Sequence, residues 1–255
     1  MPMSPRLLRP RAAGGFDPRA ISGLSLWLDA ADSATLGPTS SGAGAVSNNG
    51  PVKYWGDKSG NGRHATTTNA DSNSPTYLAT GANGFPALGF DGSPDTLDGN
   101  WPVTLTSQTT FVVNMRLTGS ASGGRIFAQS DAGSDAGTTG HYIPLLRDVA
   151  GENAASYAST AFRANITVGI NTLALLTSRH TGSQIQNSVN NGAQQTFSHT
   201  LNKTFTRYRL GADFAGSGRE SGRTAEILVY SRSLSDDERN AIARYLGNKW
   251  GITVS

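Results

Sequence analysis

Two hundred and fifty-five residues without a cysteine make one large domain or two small ones, and exclude disulfides, thiolate metal sites and a cysteine nucleophile. Gly, Ser, Thr and Asn supply 102 of the residues against 15% charged side chains, which excludes a helical bundle or coiled coil. The formal charge of +3 sits wholly in residues 1–20; residues 21–255 hold 17 basic and 17 acidic side chains, so the body is not a basic nucleic-acid-binding domain.

The first segment, residues 1–20, is an extended arm. It carries Arg6, Arg9, Arg11 and Arg19 against Asp17, and four of the eleven prolines. Proline fixes φ and favours extended chain. Leu7–Leu8 is too short for the apolar core of a secretory signal. Two readings stand: a frayed terminus, or a docking arm that contacts a partner through Arg6, Leu7, Leu8, Arg9, Arg11 and Phe16.

From residue 21 onward, strand and turn signals alternate. Leu24–Leu28, Val52–Trp55 and Pro86–Phe90 read as short strands, with Asn61-Gly62 supplying a tight turn. Thr109–Leu117 (TTFVVNMRL) is β-branched and aromatic. Further strands are expected at Gly124–Gln129, His141–Arg147, Ala155–Arg163, Ile170–Arg179, Ser183–Val189, Ala193–Phe197, Arg207–Gly211 and Thr224–Tyr230. About twelve strands at this spacing predict a sandwich or barrel. One helix is expected, over 235–250. Ser235 and Glu238 form a capping box, Ile242, Leu246 and Trp250 make one apolar stripe, and Gly251 is the stop. Trp250 is read as the anchor that seats this helix.

Certain motifs recur in a known order: Leu24-Ser25-Leu26-Trp27-Leu28-Asp29-Ala30, Trp55-x-Asp57-x-Ser59-Gly60-Asn61-Gly62, Phe90-Asp91-Gly92, Ala225-Glu226-Ile227-Leu228-Val229-Tyr230, and a helix ending Tyr245-Leu246-Gly247-Asn248-Lys249-Trp250-Gly251. As an ordered series over about residues 20–253, they resemble the laminin-G-like branch of the concanavalin A-like lectin/glucanase jelly rolls. The resemblance implies an all-β antiparallel β-sandwich, 21–255, with the strand near Trp27 beside the strand near Leu228. It also implies the company of tailed-bacteriophage structural proteins or bacterial surface proteins.

Catalytic patterns are sparse. The fold's glucanases use paired carboxylates, and glycoside hydrolysis needs two carboxyl groups about 5–10 Å apart. Only Glu152, Glu220, Glu226 and Glu238 are present, with no Glu-x-Asp-x-Glu pattern. His64, His141, His180 and His199 are far apart in the chain and are expected at loops or rims. Asp57, Asn61, Asp91, Asp95 and Asp98 read either as strand-ending Asx turns or as rim-loop ligands for Ca²⁺. Trp55, Trp101 and Tyr142 are candidates for stacking on sugar rings, although the two tryptophans are equally placed to cap the core.

The expectation from sequence is a non-enzymatic virion structural protein without cofactor, a capsid decoration, minor head or tail-associated subunit. It would be made in the host cytoplasm and be present in multiple copies. The arm would dock it on major capsid or tail subunits, with neither nucleic acid nor membrane as partner. The alternative is a carbohydrate-binding module for cell-surface attachment, and after it a glycan-cleaving enzyme.

Overall fold

A computed structural model describes residues 15–117, 124–131, 142–147, 153–158, 161–214, 216 and 218–255; for 142–147, 153–158 and 161–163 the description is of the backbone alone. The strands are β1 (Leu24–Asp29), β2 (Leu36–Gly37), β3 (Tyr54–Trp55), β4 (Ala65–Thr66), β5 (Thr76–Ala82), β6 (Phe85–Asp91), β7 (Leu97–Leu105), β8 (Gln108–Arg116), β9 (Arg125–Ser130), β10 (Tyr142–Arg147), β11 (Asn153–Ala158), β12 (Ala161–Thr167), β13 (Leu173–His180), β14 (Gln184–Val189), β15 (Gln195–Ser198), β16 (Lys203–Leu210) and β17 (Ser221–Tyr230). They form two antiparallel sheets. The first runs β15-β14-β13-β8-β17-β6-β5, with β1 also on β17; the second runs β12-β11-β10-β9-β16-β7-β4-β3-β2.

Strand β17 explains the spread of the sequence motifs. Its first half pairs with β6 and its second half with β1, and Trp27 lies opposite Leu228 as expected. Several strands of the sequence reading are present, and the two-residue strands Leu36–Gly37 and Ala65–Thr66 and the longer strands Thr76–Ala82 and Leu97–Leu105 join them. Two-residue strands carry too little alternation to be read from sequence.

The molecule has three layers. Leu26, Leu28, Val112, Leu176, Ile227 and Val229 of the first sheet face Trp101, Phe127, Phe205, Tyr208 and Leu210 of the second. On the other side of the first sheet, Trp27, Phe111, Val113, Leu175, Leu228 and Tyr230 pack on helix α1 (Asp236–Trp250) through Ile242, Leu246 and Trp250. The first sheet is thus covered on both faces. All nine residues of β8 are buried, as a strand with two buried faces requires. The second sheet has one face on the core, and its other face bears the polar alternate residues of β7 and β16.

Both capping-box bonds of α1 are present: Ser235 Oγ accepts from the Glu238 amide at 3.3 Å, and Glu238 accepts from the Ser235 amide at 2.9 Å. Gly251, at φ 68°, ends the helix in the left-handed region.

The helix is held by a buried polar network. Glu226, 1% exposed, accepts from Trp27 Nε1 (2.7 Å), Trp250 Nε1 (2.6 Å) and Lys249 Nζ (2.8 Å). Lys249 also pairs with Asp29 at 2.8 Å, and Lys58 bridges Asp29 and Asp32 at 2.8 and 2.9 Å. Burial pushes the Glu226 carboxyl up despite Lys249, whereas at Asp29 the two lysines outweigh burial and hold it down. Glu226 is therefore the seat of the helix, with every described partner structural.

The ordered body starts before residue 21. Pro18 is buried and its carbonyl accepts from Tyr230 Oη at 2.9 Å, while Phe16 packs on Tyr245 with ring centroids 5.8 Å apart. Phe16, expected on a partner, is thus engaged within the chain: an apolar ring beside the exposed edge of α1 finds a seat there. Arg6, Leu7, Leu8, Arg9 and Arg11 lie outside the described residues.

Candidate functional site

Alternation along β7 and β16 turns Leu97, Gly99, Trp101 and Leu105, with Phe205, Tyr208 and Leu210, toward the core. It leaves Asp98, Asn100, Arg207 and Arg209 on the outer face of the second sheet. Arg207 lies opposite Asn100 and Arg209 opposite Asp98, and Thr66 of β4 lies on the other side of Asp98. Three neighbouring strands thereby set their outward side chains in one field. Gly62 and His64, just before β4, and Phe214, just after β16, raise its walls. The result is an open cleft of about 420 Å³ lined by Gly62, His64, Thr66, Asp98, Asn100, Arg207 and Phe214. A second depression of about 260 Å³, reached past Asn69, Thr96 and Arg219, shares Asp98 and so extends the cleft along the sheet.

Close packing beneath fixes the floor. Trp101, Phe127 and Tyr208 form an aromatic cluster with centroids 5.6–6.2 Å apart, and Tyr208 Oη donates to the Arg63 carbonyl at 2.7 Å. Burial pushes the Tyr208 phenol well up, so it stays protonated and donating. A Cβ at Gly99 would lie 2.2 Å from the Tyr208 ring, so only glycine lets this ring lie under the strand.

The polar groups of the cleft differ in their commitments. Asp98 accepts from Arg209 Nε and Nη2 at 2.6 and 2.8 Å, a bidentate pair. His64 Nδ1 accepts from the Asp57 amide at 3.0 Å, which assigns the proton to Nε2 and makes that atom a donor. The Arg207 guanidinium lies 4.2 Å from the centre of the Phe214 ring, and its Nε is buried without a hydrogen-bond partner.

Of the residues singled out in the sequence, Asp98 and His64 line the cleft and the others fall elsewhere. Trp55 and Trp101 are wholly buried between the sheets, out of reach of any sugar, because large flat rings fill the interior more favourably than they sit in water. Tyr142 stands in β10, and its side chain lies outside the described residues. Asp57 accepts from the amides of Trp27, Ser59 and Arg63, so it organises its own loop, and Asn61 donates to the Leu24 carbonyl at 3.1 Å. Asp91 and Asp95 meet each other: Asp95 accepts the Asp91 amide at 3.1 Å. Of the Ca²⁺ candidates only Asp98 lines the cleft, and among the described residues no three acidic or histidine side chains are gathered to hold a metal.

His180 and His199 are not at rims. They are buried together with Nε2 and Nδ1 2.8 Å apart, because β13 and β15 flank β14 and bring both rings to the same end of that strand. The groups that line the cleft, His64, Asn100, Arg207 and Phe214, come from three separate segments. The alternation of Arg207-Tyr208-Arg209-Leu210 was the available signal, since it places both arginines on the face opposite the core.

No family model matches the chain, and no curated protein matches it by sequence. Solved structures do match its fold. A GH54 α-L-arabinofuranosidase soaked with a cyclic sulfate inhibitor aligns with TM-score 0.63 at 13% identity, over 88% of this chain and 62% of that one. An arabinofuranosidase complexed with arabinofuranosyl-α-1,2-xylobiose aligns with TM-score 0.57 at 13% identity, over 78% of this chain and 51% of that one. A Trypanosoma rangeli sialidase mutant with trans-sialidase activity aligns with TM-score 0.53 at 13% identity, over 92% of this chain and 34% of that one. The chain thus spans less than two thirds of each. The likeness is one of fold. It overturns two expectations, that of a capsid or tail structural subunit and that of a non-enzymatic protein, because these three proteins are glycosidases. The resemblance holds at the coarser level, as a β-sandwich of the kind found in carbohydrate-active enzymes.

Proposed function

We propose that this chain is a carbohydrate-active β-sandwich domain that holds a saccharide in the cleft on the outer face of its second sheet. The observation that carries this reading is the composition of that cleft. A sugar ring presents hydroxyl pairs on its edge and C–H groups on its faces. Such a ligand suits a concave site with a few directed polar groups and an apolar wall. Here the polar groups are Asn100, His64, Thr66 and Asp98, and the wall is Phe214. The glycosidase neighbours support the reading at the level of fold.

The test is a glycan array followed by titration calorimetry with the full chain. Binding that Asn100→Ala and Phe214→Ala both weaken, at unchanged melting temperature, supports the proposal. An array without a hit, or hits indifferent to both changes, overturns it. A stronger form of the reading is glycoside cleavage, favoured by Asp98, a carboxylate that Arg209 fixes in the cleft through two hydrogen bonds. Release of 4-nitrophenol from aryl glycosides, α-L-arabinofuranosides among them, that Asp98→Asn abolishes would establish it. A rate unchanged in that variant would remove Asp98 from the chemistry.

A further inference from the structure

The cleft is lined by a cation, Arg207, whose Nε is buried without a hydrogen-bond partner. We infer that the saccharide unit it accepts carries a carboxylate, and that Arg207 binds it. This inference rests on the proposed glycan site and specifies its substrate class.

Arg207 and Arg209 stand on the same face of β16 and both lie against Phe214, at 4.2 and 4.8 Å from the ring centre. Their electrostatic situations are opposite. Arg209 is neutralised by the bidentate pair with Asp98 and donates to the Asp213 carbonyl at 3.1 Å. The Arg207 side chain has neither ion pair nor hydrogen bond among the described residues, and its Nε is shielded from water. A guanidinium taken partly out of water without an acceptor is unfavourable. The two terminal nitrogens of Arg207, unlike Nε, are not buried, and they remain open to an incoming acceptor in the cleft. Its place over the Phe214 ring restricts the guanidinium, and the planar fork of an arginine matches the two oxygens of a carboxylate.

The neighbouring groups point the same way. His64 offers Nε2–H, since its Nδ1 is occupied by the Asp57 amide. Asn100, opposite Arg207 on β7, offers its amide. Asp98, the acidic member of the lining, already has both oxygens on Arg209 and cannot neutralise Arg207. The field of the whole body does not favour a polyanion, for residues 21–255 balance 17 basic against 17 acidic side chains. Recognition is therefore local: one anionic group on a ligand otherwise held through hydroxyls and a ring face. A uronic-acid residue in a polysaccharide has that chemistry.

The experiment titrates the full chain with a panel of uronate-containing oligosaccharides, each beside its carboxyl-reduced neutral counterpart, and with a sulfated oligosaccharide. A uronate member is expected to bind about 10- to 100-fold more tightly than its reduced form, the range for a charge-assisted pair. Arg207→Gln should abolish that preference, so that the acid and its reduced form bind alike. Arg207→Lys, a charge without the fork, should restore only part of it. Equal affinity for acid and reduced forms overturns the carboxylate assignment and leaves the glycan site standing. A preference for the sulfated ligand over every uronate overturns the carboxylate in favour of another anion. A preference that Arg207→Gln does not alter removes Arg207 from recognition. Absence of binding across both halves of the panel overturns the glycan reading itself.

Discussion

Trp27 and Trp250, near opposite ends of the chain, donate their indole N–H groups to the two oxygens of one buried carboxylate, Glu226, at 2.7 and 2.6 Å. Strand β1, strand β17 and helix α1 are locked together at this point. With Lys249 and Asp29 added, the network satisfies a charge that would otherwise be costly to bury. The opening and closing motifs of the sequence are thus two halves of one structural device, remote from the cleft.

Replacing Glu226 with Gln should therefore act on stability. The variant keeps the shape, but loses the charge opposite Lys249 and can no longer accept from both indoles as well as a carboxylate does. The expected cost is about 3 kcal/mol, the low end for breaking a buried pair, or a melting-temperature fall of about 6–12 °C for a domain of this size. Calorimetry and tryptophan fluorescence read both effects. A variant as stable as the parent would mean that the network contributes nothing net.

Asp95 should be a liability at neutral pH. Burial pushes its carboxyl up to about 6, and the nearby Asp91 charge adds to this. A folded pKa above the unfolded one stabilises the fold at low pH and withdraws that help as pH rises past about 6. Asp95→Asn keeps an acceptor for the Asp91 amide and removes the charge. It should raise stability by about 1–2 kcal/mol at pH 8, allowing for solvent near Asp91, and by almost nothing at pH 4. Denaturant melts at the two pH values compare them; an equal shift at both would contradict the assignment.

The histidine pair should have the opposite slope. His180 Nδ1 accepts the Gly182 amide at 3.0 Å, so Nε2 bears its proton and donates to His199. Burial first, and the His199 charge second, lower His180 to about 3. Its contribution is complete above the unfolded value near 6.5 and falls as pH drops from there toward 3. About 2–3 kcal/mol should be lost by pH 4.5, partly offset by Asp95. Melting temperature against pH for the parent and for His180→Gln is the measurement, and parallel curves would rule the pair out as the source.

Gly99→Ala tests the floor of the cleft. Its Cβ cannot coexist with the Tyr208 ring, so either the ring leaves the Arg63 carbonyl or β7 shifts. Overpacking of this kind costs about 1–3 kcal/mol. Glycan affinity should fall with it, because Asp98 and Asn100 flank the glycine. Full stability in the variant would show that the strand yields freely.

The sequence by itself determined the sandwich class and the helix. The β-branched and aromatic run Thr109–Leu117, the box Ser235–Glu238 and the stop at Gly251 are local signals whose physics is complete within a few residues. The ordered motifs also placed Trp27 beside Leu228, since strand partners keep their neighbours wherever the fold is kept. What only the tertiary structure decided was which outward residues share a cleft. Arg207, Asn100, Thr66 and His64 meet because β16, β7 and β4 are adjacent in the second sheet, an order set by long-range pairing and not by any short window of chain. Burial likewise reassigned Trp55 and Trp101 to the core and brought His180 to His199, because the free energy of hiding a ring or satisfying a ring nitrogen depends on what the folded chain sets against it.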